Sequence, residues 1–86
     1  MLKEQVKKFI TKQLEDLDNF VYILEEEDLY CYVIFSQILG ENINKEMTFK
    51  IIDNKLYYHS INYGWKVLSI ETNNKYFWID LVTQNN

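Results

Sequence analysis

The stretch Leu29–Leu39, LYCYVIFSQIL, is the longest apolar run in the chain, and its reading decides the fold. At period two, Leu29, Cys31, Val33, Phe35 and Leu39 fall on one face and Tyr30, Tyr32, Ile34 and Ile38 on the other. Only Ser36 and Gln37 interrupt the pattern. A half-buried strand alternates apolar with polar residues, whereas a strand that is apolar on both faces belongs in the centre of a sheet covered on both sides. The run is too short to cross a bilayer as a helix, which takes ~20 residues. Its Tyr, Val, Ile and Phe also favour strand over helix.

Working outward, residues 2–17 read as an amphipathic helix. Leu2, Val6, Phe9, Ile10, Leu14 and Leu17 recur at helical spacing, with charged residues on the other side. Glu4–Lys8 and Lys12–Asp16 are opposite charges at i,i+4. Asp18-Asn19 marks the end, Asn being suited to the left-handed position there. Phe20–Leu24 reads as a short strand, and Glu25, Glu26, Glu27 and Asp28 as the turn into the central strand. Gly40–Glu46 reads as a polar loop.

Met47–Ile52 and Lys55–Ile61 form a hairpin across Asp53-Asn54, two residues that tolerate positive φ. That register sets Phe49 opposite Tyr58, Ile51 opposite Leu56 and Lys50 opposite Tyr57. Trp65–Ile70 and Tyr76–Val82 read as a last hairpin around Thr72–Lys75, pairing Leu68 with Ile79 and Ile70 with Phe77. Thr83–Asn86 is left as a frayed tail. All strand connections are short, so the sheet is antiparallel. The expected fold is therefore α+β: one N-terminal amphipathic helix packed on one face of an antiparallel sheet of five to six strands, forming one domain over residues 1–86.

Composition narrows the function classes. Among 86 residues there are seven Tyr, five Phe and two Trp, no Pro and only two Gly, which argues against disorder. The single Cys rules out an intramolecular disulfide and a Cys-based zinc site, and no apolar signal region opens the chain. A reduced, cytoplasmic protein away from the membrane is the expectation. All nine cations are Lys, so the Arg contacts that dominate nucleic-acid interfaces are missing. The basic, Gly and aromatic strand motif of RNA-recognition sheets is missing too, which argues against direct nucleic-acid binding. Heavy use of Asn, Ile, Lys and Tyr is what an AT-rich coding sequence produces and points weakly to a phage or mobile-element source.

No motif names a reaction. The only histidine, His59, lies on a mixed strand face without an assignable partner to orient it. Cys31, mid-strand, reads as a small core hydrophobe. Consecutive carboxylates in a short turn lack the spacing and Gly of an EF-hand, and there is no Gly-rich phosphate loop. No metal or cofactor is expected. The net charge is −4, yet seven acids and no Lys lie between positions 15 and 28, so the remaining chain is net positive. Occupation of a basic groove on a partner by this acidic stretch is the sharp reading, and a solvated turn the plainer one.

The faces decide the expectation. A helix of about fifteen residues is ~22 Å long and ~10 Å wide, enough for the middle of one sheet face. It should cover the aliphatic side, with Cys31, Val33 and Phe35. The opposite side then presents Tyr30, Tyr32 and Ile34, joined by Tyr57, His59, Trp65 and Trp78. Tyr and Trp dominate binding hot spots. The expected function is a non-enzymatic protein-binding module whose partner is another protein or a second copy in a homodimer, in the manner of an inhibitor, an immunity protein or a phage-encoded antagonist. Two alternatives are a curved sheet that closes on itself around a small ligand, and a small enzyme using His59.

Overall fold

A computed structural model describes residues 1–17, 19–69 and 74–83. Its first element, α1 (Leu2–Gln13), buries Leu2, Val6, Phe9 and Ile10, the i, i+4, i+7, i+8 stripe of the sequence. The helix stops four residues short of the expected end. Leu14 and Leu17 nevertheless reach the core from the turn that follows, so the apolar spacing outlasts the helix itself. In that turn Lys12 pairs with Glu15 at 3.2 Å rather than with Asp16. Asn19 takes the left-handed conformation at φ 62°, while Asp18 lies outside the described residues.

Five strands follow: β1 (Val21–Glu27), β2 (Tyr30–Ile38), β3 (Glu41–Ile52), β4 (Lys55–Ser60) and β5 (Gly64–Val67). They pair as an antiparallel meander in sequence order. The leading stretch is therefore a strand flanked on both sides. Two of its connections are two-residue turns with both residues at positive φ, Leu39-Gly40 and Asp53-Asn54, the geometry that matches strand twist. The Asp53-Asn54 turn sets the expected register, with Phe49 opposite Tyr58, Lys50 opposite Tyr57 and Ile51 opposite Leu56. The sheet is open, with β1 and β5 as its edges, so it does not close on itself as the alternative reading required.

Several local expectations are corrected. Glu25, Glu26 and Glu27 are not a turn; they continue β1 opposite Tyr32, Cys31 and Tyr30, and the turn is Asp28-Leu29. Ladder pairing to β2 here outweighs the poor strand propensity of Glu. Likewise Glu41–Glu46 is strand rather than loop, held by β2 as its partner. Leu29 and Leu39 sit in the turns and are exposed, not core. Ile38 faces the core rather than the opposite side. The cause is a β-bulge at Ser36, where pairing to both neighbours shifts register and the inward parity of β2 changes.

The largest correction is at the C-terminus. Residues expected as the last strand form a second helix, α2 (Lys75–Val82), with Phe77 and Leu81 buried at i,i+4. Trp65–Val67 pairs with β4 and not with residues 76–82. Ile70, expected at the end of a strand, and Thr72 and Asn73 of the expected turn lie outside the described residues, as do residues 84–86 of the tail. Asn74 anchors the start of α2. Its side-chain oxygen accepts the Ser69 backbone N–H at 3.1 Å, and its amide donates to the Ser69 carbonyl at 2.8 Å.

Both helices lie on the same side of the sheet, α1 against β1, β2 and β3 and α2 against β4. Between them Phe9, Phe49, Tyr58 and Phe77 interlock, Phe77 standing edge-on to Phe9 at 5.1 Å and to Tyr58 at 5.7 Å between centroids. The Tyr58 hydroxyl donates to Asp80 Oδ2 at 3.1 Å, giving the one polar atom of this knot an acceptor. Burial first, and then the Asp80 charge, push the Tyr58 phenol above its ordinary value. Cys31 is fully buried, and burial raises its thiol to about 11, with the charge of Glu26 adding to the effect. The expected core reading of Cys31 therefore holds.

Candidate interaction surface

Strand alternation carries the registers through to the side of the sheet away from the helices. There the side chains are Ile23, Glu25 and Glu27 of β1, Tyr30, Tyr32 and Ile34 of β2, and Glu46, Thr48 and Lys50 of β3. Lys55, Tyr57 and His59 of β4 and Trp65 and Val67 of β5 complete it. No described element packs over this face.

The aromatic side chains lean on one another instead. Tyr30 stacks on Trp65 with centroids 6.2 Å apart and planes 20° apart, although three strand spacings, ~14 Å, separate their backbones. Both rings therefore reach across the sheet toward each other. Lys50 lies beneath this span, its Nζ 3.9 Å from the Trp65 centroid in a cation–π contact. His59 meets the same indole edge-on at 5.1 Å, and Tyr32 neighbours Tyr30 at 6.3 Å. The Tyr30, Tyr32 and Trp65 rings are half-buried, as suits side chains with an apolar body and a polar tip. Ile23 and Val67, on the two edge strands, are 56% and 54% exposed.

Charge is unevenly spread over the face. Glu25 and Glu27 line the β1 side and Glu46 lies on β3, whereas the cations Lys50 and Lys55 belong to β3 and β4. The Tyr32 phenol registers the acidic side: it is raised above its ordinary value by desolvation first, and then by Glu27, Tyr30, Glu46 and Asp28.

Of the six aromatic positions read from the sequence, Tyr30, Tyr32, Tyr57, His59 and Trp65 share this face. Trp78 does not. It lies on α2, on the helix side, where its Nε1–H donates to Gln13 Oε1 at 3.1 Å and it packs against the core. The acidic stretch is also divided: Glu25 and Glu27 join the aromatics, while Glu26 turns to the helix side near the start of α1. Placing the carboxylates beside the aromatic rings was missed by the sequence reading. Extending the period-two pattern of VYIL through EEE would have found it.

His59 is exposed, and among the described residues no hydrogen bond joins its ring to a carboxylate, hydroxyl or thiol. Nor do any three described His, Cys, Asp or Glu side chains gather as a metal site. No described helix is long and apolar enough to cross a membrane. No protein-family model, curated protein or solved structure matches the chain.

Proposed function

We propose that the protein is a non-enzymatic binding module that recognises a folded protein through the sheet face opposite its helices. One observation carries this reading: both helices pack on the same side, and no described element covers the other, where Tyr30, Tyr32, Ile34, Tyr57 and Trp65 lie among charged side chains. Contiguous apolar surface of this kind on a small soluble domain marks an interaction site. Amphipathic rings ordered by mutual stacking lose little entropy on binding, which suits them as anchors. Glu25, Glu27 and Lys55 around them, with Lys50 beneath, supply the charges that select a partner and set its orientation. An inhibitor or immunity-type role, or that of a phage-encoded antagonist, is the narrower form of this proposal. Its support is the small size, the net charge of −4 and the AT-rich coding bias.

Site-specific photocrosslinking tests the proposal. A photoreactive residue at Tyr32 should capture protein partners in cells of the native host, and one at Lys7, on the outer side of α1, should not. Equal capture from both positions, or capture from Lys7 alone, would refute this use of the face.

A further inference from the structure

We infer that the occupant of the open face is a second copy of the chain, stacked sheet to sheet about a two-fold axis that runs parallel to the strands between β2 and β3. This rests on the reading of that face as a protein-binding surface.

The argument is one of charge placement. In line across the sheet, the register sets Glu27, Tyr30, Lys50, Tyr57 and Val67 in one row. One step along the strands, Glu25, Tyr32 and Thr48 continue into His59 and Trp65. A face-to-face pair of identical copies has its two-fold axis in the plane of contact, so each residue's opposite number follows from where the axis lies. An axis perpendicular to the strands lays β1 on β1 and, where it crosses between the acidic rows, opposes Glu25 with Glu27. An axis along β3 brings Lys50 onto Lys50 and Glu46 onto Glu46. Like charges opposed in this way cost several kcal/mol by general experience.

An axis between β2 and β3 avoids both. It sets β1 over β4 and β2 over β3 of the second copy. Glu27 then meets Tyr57, with Lys55 one position beyond; Glu25 meets His59; Tyr30 meets Lys50; and Tyr32 meets Thr48. Glu25 and Glu27 gain a hydrogen-bond donor or a cation, Tyr30, Tyr32 and Tyr57 gain a facing side chain, and Glu46 falls over Ile34. The product is a sandwich of two sheets between two helix layers, which covers the apolar faces left open in each copy. Four overlapping strands spaced ~4.8 Å apart bury on the order of 1,000 Å² in total, at the threshold for a specific interface.

Sedimentation of the full chain over a wide concentration range, at low salt, tests the inference. The unaltered protein should dimerise. Glu27→Lys alone and Lys55→Glu alone should each weaken dimerisation at least tenfold, because each opposes like charges across the axis. The double variant Glu27→Lys/Lys55→Glu should recover most of that loss. Circular dichroism of each variant confirms that the fold is retained, and both substituted side chains, Glu27 and Lys55, are solvent-exposed.

A protein that stays monomeric throughout, a dimer indifferent to both single changes, or a double variant no better than the singles would each overturn the inference. A monomer that crosslinks to a different protein from Tyr32 would overturn the dimer and leave the protein-binding reading intact. A monomer that crosslinks to nothing from that position would remove both.

Discussion

The two faces of this sheet come from the same strands, residue by residue in alternation, and differ in the chemistry of their apolar side chains. The helix side presents Cys31, Val33, Phe35, Met47 and Phe49, which lack strong polar groups and are buried. The other side presents Tyr30, Tyr32, Tyr57 and Trp65, which are half-buried, and His59, which is exposed. The difference is that the second set carries a polar tip on an apolar body, and such residues remain stable at a boundary with water. Tyr58, the fully buried Tyr of the helix side, has its hydroxyl satisfied by Asp80.

Perturbing each face tests this contrast. The largest effect is expected at Phe77, whose ring touches Phe9, Phe49, Tyr58 and Trp78. Phe77→Ala should cost about 3–5 kcal/mol in urea unfolding. A loss below about 1 kcal/mol would mean that α2 is not part of the covered face. Next, Tyr58→Phe removes the hydrogen bond to Asp80 while keeping the ring, and should cost about 1–2 kcal/mol.

A smaller effect, confined to alkaline pH, is expected at Cys31. Its thiol is raised from 9.0 to about 11 in the folded protein, so the unfolded chain releases that proton first. The folded state then binds more protons than the unfolded one across this window. Stability should be full below pH 9 and fall as pH rises toward 11. Tyr58 adds a loss of the same sign above pH 10. The share due to Cys31 is therefore read as the difference in slope between the unaltered protein and Cys31→Ala, and identical slopes would contradict a buried thiol.

The smallest effect belongs to the open face. Tyr32→Ser should change stability by less than about 1 kcal/mol while abolishing association through that face. A cost comparable to Phe77→Ala would show that the two faces are both core, and the contrast drawn between them would collapse.

Where periodicity was long and partners were local, the structure was legible in the residues. The inward stripe of α1, the two-sided apolar character of β2 and the register across Asp53-Asn54 all follow from spacing and turn chemistry. The aromatic set on the open face was legible too, with Trp65 assigned to the correct side even though its strand pairs with β4 and not with a later hairpin. The acidic run could not be placed by composition, since three Glu in a row make a poor isolated strand and become one only with β2 alongside. Ile38 could not be assigned, because the bulge at Ser36 that turns it inward belongs to pairing with both neighbours.

By itself, then, the sequence determined a helix, an antiparallel sheet and the faces shared by Tyr30–Phe35 and by the Asp53-Asn54 hairpin, because these rest on period and on a two-residue turn. The tertiary structure alone decided that Lys75–Val82 is a helix and that Trp78 lies on the helix side. Six of its eight residues are aromatic or branched and suit a strand as well as a helix. The outcome turned on the free energy of docking Phe77 and Leu81 into the space beside Phe9, Phe49 and Tyr58, a space that exists only once the sheet and α1 have come together.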